Sequence, residues 1–504
     1  MKILLFCHLG QIREYAEYIK AFKKIRPVET VFLTMGQEEF ELGQEVATFD
    51  VVKDILPATS MLDAAESQLT EATQRLRELE LRLGSNFVNQ DIFTDRFFRA
   101  QPRLDIEPNK LPLIWTSARV RQFMALISRR LEQEMISFEP DFMFVEPSFA
   151  PTRMAWRIAR EKGIPAGGFM SVRFWSDRVY LEAGIGYDWA KARSAYKDMA
   201  NQPMVGEELT MVENRLETIL QEKTKPAYLK TEHAKGAPGI LKRLHPAQVI
   251  TGLNSWLGKR AATSNTNPQV LPGSELSPIA KYFRYRDGKK AKRYLLQNQT
   301  PFVQISRKKY AVYFLHVQPE VTVEGMAFDY QDQLNTLRTI LACLPADMEL
   351  VVKEHTPMLG YRQLDMYQSL VSMPGLIIAE THEDSHNLIS HAATVITLAG
   401  TVALEALLYG IPAIVLGSIY FDSFNGVYKP GSLNELRKLL SNPGDLSGAT
   451  KEDALRTLGS LYRASNPGKP SRVDITAASV DLASAEMMIA ELEELTGGQK
   501  HEQY

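Results

Sequence analysis

Lys353, Glu354 and His355 stand in a row where the apolar run ELVV ends, and Thr356-Pro357 breaks the chain directly after them. A cation, an acid and an imidazole at the carboxyl end of a buried strand lie where open α/β sheets hold their ligands. Two more segments carry related chemistry. HVQPE, from His316 to Glu320, follows the strand-like YAVYF, and Ala399-Gly400-Thr401 follows TVITL. A glycine beside a hydroxyl where a helix begins presents bare backbone N–H groups and the positive end of the helix dipole, which suits a phosphate. Lys353 and His355 can add cationic or hydrogen-bonding contacts to the same phosphate. Glu405, one turn further on, can accept hydrogen bonds from ribose hydroxyls. The chain has no glycine-rich phosphate loop and no paired-cysteine or clustered-histidine spacing, so the pattern fits a metal-independent nucleotide-sugar site better than a kinase or dehydrogenase.

The elements that must position these residues alternate regularly. From residue 310 the sequence reads strand YAVYFLH, helix DYQDQLNTLRTILACL, strand ELVVKEH, helix YRQLDMYQSLVS, strand GLIIAE, helix SHNLISHA, strand TVITLAG, helix TVALEALLY and strand PAIVLG. Nearly continuous apolar strands separated by helices predict a parallel sheet covered on both faces, a Rossmann-like domain. The first half shows a looser version of the pattern. KILLFCH, ETVFLTM, PDFMFVE and IPAGGFM read as strands, and two amphipathic helices are predicted, MLDAAESQLTEATQRLRELELRLG with Gly84 as its stop and SARVRQFMALISRRLEQEMISF. The expected organisation is an N-terminal α/β domain over 1–300, with helical and basic insertions at about 60–135 and 190–300. A C-terminal domain over 301–440 and a helical tail over 441–504 follow. Two such domains imply a cleft between them.

At 504 residues the chain is too long for one ordinary core, and its 45% hydrophobic and 23% charged content is that of a soluble globular protein. Cys7 and Cys343 both sit in apolar segments, which points to buried thiols in a reducing compartment. MKILLFCH reads as a first strand rather than a signal peptide. The tract from Val395 to Phe421 is divided by Gly400, Glu405 and Gly410-Ile411-Pro412 into strand, helix and strand, so no spanning helix is expected. Charge is uneven: between Lys223 and Lys309 there are 18 Lys or Arg against three acids, Glu232, Glu275 and Asp287. A basic stretch interleaved with aromatics suits an anionic membrane surface or an anionic polymer, or forms a solvated linker.

Three blocks, YFLHVQPEVTVEGMAFDYQDQ, ELVVKEHTPMLGYR and TVITLAGTVALEALLYGIPAIVLG, resemble consecutive signatures of the capsule polysaccharide biosynthesis family, which includes the bacterial β-Kdo transferases. The upstream DFMFVEPSFAPTRMAWRIAREKGIPAGGFMSVRFWSDRVY resembles the same family: a strand ending in an acid, a helix, Gly-Ile-Pro, then two arginines. The resemblance covers roughly 140 to 180 and 310 to 420. It implies a GT-B-like architecture, two Rossmann-like domains facing a central cleft, with the acceptor on the N-terminal side and a CMP-sugar on the C-terminal side. The implied donor-binding set is Gln318, Glu320, Lys353, His355, Ser385, Gly400, Thr401 and Glu405. The family's His-Pro pair is interrupted here by Thr356, and its Gly-Thr-Val-Gly ends in Ala403.

By the same resemblance, Glu146 is the expected nucleophile or base, with Asp177 in reserve and His355 at the leaving phosphate. Arg173 and Arg178 are expected at a sugar carboxylate or an acceptor phosphate. The implied activity is transfer of Kdo or a related keto-sugar from a CMP-activated donor to a lipid or glycan acceptor. No cofactor, metal or nucleic acid takes part in it. It would act in the cytoplasm, with an anionic membrane surface as a further partner. Two alternatives compete. A non-hydrolysing UDP-sugar epimerase shares the two-domain plan, but the Gln-Pro-Glu and arginine blocks argue against it. A non-catalytic capsule-assembly protein would tolerate loss of Glu146 or His355, and both are present.

Overall fold

A computed structural model describes residues 1–7, 11–55, 66–95, 117–182, 184, 188–223, 278–318, 320–468 and 480–498. Among them are two sheets. The first comprises β1 (Lys2–Phe6), β2 (Glu29–Thr34), β3 (Val51–Asp54), β4 (Phe142–Val145), β5 (Ala166–Val172) and β6 (Trp175–Glu182). The second comprises β7 (Tyr310–Phe314), β8 (Glu349–Lys353), β9 (Leu376–Ile378), β10 (Thr394–Thr397), β11 (Ala413–Val415) and β12 (Val427–Tyr428). A two-residue strand, β13 (Asn466–Pro467), returns to the first sheet and pairs antiparallel with β6.

The first sheet has the order β13-β6-β5-β4-β1-β2-β3 and the second β12-β11-β10-β7-β8-β9. From β5 to β3 the first is parallel, and the second is parallel throughout. In each, the order in which successive strands are added reverses once, between β1 and β4 in one and between β7 and β10 in the other. Outside the carboxyl ends of the strands at such a reversal is where open α/β sheets leave a crevice. The two Rossmann-like α/β domains expected from the strand and helix pattern, which the resemblance implied to be GT-B-like, are the architecture observed.

The apolar strands explain the layering. YAVYF, ELVVK and TVIT are buried along nearly their whole length, which requires cover on both faces. Two apolar clusters flank each sheet, and one of those on the second sheet runs on without a break into the first half. There Trp175, Trp189 and Tyr196 meet Leu404, Tyr420, Phe424 and Leu458. Tyr196 stacks on Phe424 at 4.0 Å, and Trp175 Nε1 donates to the Leu458 carbonyl at 3.1 Å. The helix Lys451–Arg463 thus lies on the N-terminal half, as does the tail helix Leu482–Gly498, which packs on the helix Ile12–Ile25. The helix Pro278–Gln297 goes the other way: Ala291 and Leu295 are buried against the second sheet's layer.

The predicted amphipathic helices are observed as Glu66–Leu83 and Ser117–Phe138. The tract from Val395 to Phe421 is strand, helix and strand, and no described helix is long and apolar enough to cross a membrane. Cys7 is buried, whereas Cys343 is half-buried. Most of the basic stretch, residues 224–277, lies outside the described residues.

Candidate active site

At the reversal of the second sheet the joining residue is His316, two positions past β7. Its Nε2 accepts from the Leu398 backbone N–H at 3.1 Å and lies 3.0 Å from Thr397 Oγ1, so one imidazole ties the ends of β7 and β10 together. Thr397 Oγ1 in turn accepts from Gly400 N–H at 3.1 Å. This makes Gly400 necessary on packing grounds: a Cβ there would come within 2.7 Å of Thr397 Oγ1 and 3.2 Å of His316 Cε1. With Nε2 acting as acceptor, the ring is neutral and protonated at Nδ1. Burial, then the neighbouring His355 and Arg362, push its pKa from 6.5 down to about 3.

Behind this edge is a buried polar frame. Arg362 Nε donates to Glu354 Oε2 at 2.6 Å, its Nη2 reaches both Glu354 Oε1 at 3.2 Å and the His316 carbonyl at 2.6 Å, and Tyr367 Oη donates to Glu354 Oε2 at 2.8 Å. Glu354 is 1% exposed and also accepts from the His355 N–H at 2.7 Å. A buried carboxylate holding a buried guanidinium in this way fixes the loop after β8 against the loop after β7. Of the three residues that end β8, Glu354 is thus the frame, while Lys353 and His355 are half-buried at the edge. Gln318 is pinned too, its Nε2 donating to the Gln331 carbonyl at 2.8 Å and its Oε1 accepting from Gln333 at 3.0 Å. Glu320 directly precedes the short helix Val321–Glu324 and accepts from Thr322 Oγ1 at 2.7 Å. Ser385 opens the helix Ser385–Ser390, and Thr401 precedes Val402–Leu408.

The two halves meet through charge at Glu405. Arg173 Nη2 donates to Glu405 Oε1 at 2.6 Å, and His386 Nε2 lies 3.9 Å from the other carboxylate oxygen. Arg173 is delivered by a two-residue hairpin, Arg173-Phe174, between Val172 and Trp175. Phe174 adopts φ of +73°, a conformation costly for a bulky side chain, and is held there by its burial and by Arg215, which donates from Nε to its carbonyl at 2.7 Å. The Arg173 guanidinium lies 4.5 Å over the Phe174 ring. Thus Glu405, expected at a ribose, and Arg173, expected at a carboxylate or phosphate, are brought onto each other.

Arg178 and Asp177 lie elsewhere. Arg178 stacks 4.1 Å over Tyr462 and donates to Ser465 Oγ at 2.7 Å, which fastens β6 to the returning segment. Asp177 is exposed, and its carbonyl accepts from Gly468 N–H at 2.9 Å.

Glu146, one residue beyond β4, is 6% exposed at the reversal of the first sheet, and Gln11, at the start of the helix after β1, donates from Nε2 to its Oε2. Gly168 leaves room beside it, since a Cβ there would fall 2.8 Å from the Tyr15 hydroxyl. Reading the sequence for function passed over Gln11, Arg362 and the His316 imidazole. A signal existed for the last: His316 and His355 each follow an apolar strand by two residues.

Among the described residues no group of three or more His, Cys, Asp or Glu side chains is placed to hold a metal ion. Residues 277–457 match the family model of the capsule polysaccharide biosynthesis protein. No curated protein matches the chain in sequence. Among solved structures the chain is similar to the Thermosulfurimonas dismutans KpsC β-Kdo 2,7 transferase, with 10% identity, TM-score 0.37, and 72% of this chain and 89% of that chain covered. It is also similar to the Neisseria meningitidis UDP-GlcNAc 2-epimerase, with 12% identity, TM-score 0.23, and coverage of 92% and 98%. A third similarity is to the calicheamicin glycosyltransferase CalG4, at 11% identity, TM-score 0.28 and 98% coverage of both chains.

Proposed function

We propose that this protein is a glycosyltransferase of capsule or surface polysaccharide biosynthesis that moves Kdo or a related keto-sugar from a CMP-activated donor to a glycan or glycolipid. The observation that carries the reading is the coincidence of the family match over 277–457 with the second sheet's reversal, where the loops of His316, His355 and Gly400 converge. In this reading the nucleotide lies across that edge, with His355 and Lys353 toward the phosphate and Ser385 and Thr401 offering hydroxyls. Departure of the nucleotide leaves positive charge on the sugar, and Glu146, across the cleft, supplies the carboxylate that traps or stabilises it. Arg173 holds Glu405, and a ribose would compete for the same carboxylate.

A thermal-shift panel of CMP, UDP, GDP and ADP tests the donor class. CMP is expected to raise the melting temperature most, because a ligand at 100 times its Kd stabilises by about 2.7 kcal/mol. A shift with UDP and none with CMP would transfer the reading to a UDP-sugar enzyme.

A further inference from the structure

Glu405 is held on one side. Arg173 Nη2 donates to its Oε1 at 2.6 Å, while Oε2 accepts no hydrogen bond among the described residues. His386 Nε2 lies 3.9 Å from that oxygen, too far for a hydrogen bond, and has no other partner among the described residues although His386 is 1% exposed. The ring's other nitrogen is engaged by Tyr409 Oη at 3.0 Å. Arg173 Nε is likewise buried with no partner among the described residues. Buried polar atoms are nearly always paired, because each orphan forfeits the hydrogen bond it had in water. Two orphaned nitrogens therefore flank one half-used carboxylate, at the junction of the two halves.

An arginine fork matches a carboxylate best with two parallel bonds, and Arg173 makes one. Its position is imposed from elsewhere, by the hairpin that Arg215 fastens at Phe174 and by the Phe174 ring 4.5 Å from the guanidinium. An ion pair with side chains 9% and 8% exposed has little net worth, since desolvation offsets the attraction. A ligand of better fit can take this contact over. A vicinal diol is such a ligand: one hydroxyl can donate to each carboxylate oxygen, and the hydroxyl at Oε2 also reaches His386 Nε2, as donor or acceptor in either tautomer. Because the diol is neutral, it adds no second anion beside Glu405.

We propose that Arg173 sits in the ribose seat at Glu405, so that a nucleotide binds by displacing it, and that His386 Nε2 is a further partner of the arriving diol. The proposal rests on the donor reading for placing a nucleotide at this edge, and it goes beyond that reading in making an arginine of the first half a competitor of the ligand. Such a competitor lowers the nucleotide's affinity by the fraction of time that it leaves the seat open.

The test is calorimetric titration of the full chain with CMP and with dideoxycytidine monophosphate, which has the same base and phosphate but no diol. Arg173→Met should bind CMP roughly tenfold more tightly than the parent does, and the dideoxy nucleotide no more tightly. The sign discriminates, since a cation lost from a phosphate contact weakens both nucleotides. His386→Phe should weaken CMP several-fold and spare the dideoxy nucleotide, which keeps the test decisive if Arg173→Met folds poorly. Weaker CMP binding by Arg173→Met, equal gains for both nucleotides, or CMP affinity indifferent to His386→Phe overturns the proposal and leaves the donor reading in place. No binding of CMP by any of the three proteins overturns the donor reading and the proposal with it.

Discussion

Replacing Arg173 with Met should loosen the junction between the two halves, and the structure allows the size of the effect to be worked out. The Arg173 and Glu405 side chains are 9% and 8% exposed, and Nη2 lies 2.6 Å from Oε1. At an effective dielectric of about 20, two unit charges so placed attract by roughly 6 kcal/mol, against a desolvation cost of several kcal/mol per ion. The net worth of the pair is therefore small, but a widowed Glu405 retains the whole desolvation cost, with His386 Nε2 at 3.9 Å as its remaining basic neighbour among the described residues. Arg173→Met alone should cost about 3–5 kcal/mol, and Arg173→Met with Glu405→Gln should recover most of that loss. Urea unfolding followed by tryptophan fluorescence reads the junction directly, because Trp175 and Trp189 are buried in the core that spans it. A single-variant loss below about 1 kcal/mol, together with an additive double variant, would refute the buried, mutually dependent pair.

Acid should weaken the protein through His316. Its folded-state pKa of about 3 lies below the ordinary 6.5, so between these values the unfolded chain takes up a proton that the folded protein does not. Stability should then fall as pH drops through that window, by up to about 1.4 kcal/mol per unit from this group, and His316→Gln should flatten the slope. Parallel urea midpoints for both proteins between pH 4.5 and 7.5 would show the imidazole to be less buried than described. Glu146→Gln, which keeps shape and removes charge, should abolish transfer while leaving the CMP thermal shift near normal; activity within a few-fold of the parent would move the role to another acid. On the helix Pro278–Gln297, Lys289, Lys290, Lys292 and Arg293 are all exposed, and Tyr285 and Leu296 are exposed beside them. Replacing the four cations with Gln should weaken sedimentation with anionic vesicles at low salt and spare turnover of a soluble acceptor, whereas normal vesicle binding would remove the membrane dock.

What the sequence determined by itself is local in character. Apolar runs such as YAVYF and TVIT must be covered on both sides, so the parallel sheets, their helices and the loops carrying His316, His355 and Gly400 were all legible from periodicity. The reversal points were not, because strand order depends on which edge each new strand joins, and that is decided by packing over long separations. The hydrogen bonds that define the site span 135 residues for Gln11 and Glu146, 82 for Leu398 and His316, and 232 for Arg173 and Glu405. The hairpin that presents Arg173 was hidden as well, since Phe174 is a poor residue for its φ of +73° and is kept there by burial and by the bond from Arg215 to its carbonyl, neither of which local propensity encodes. The helices Ala190–Asp198 and Gly206–Glu222, read from the sequence as part of an insertion, became the packing between the halves for the same reason. Their apolar faces name no partner by themselves, and the partner is supplied across the chain by Phe424 against Tyr196 and by the helix Lys451–Arg463.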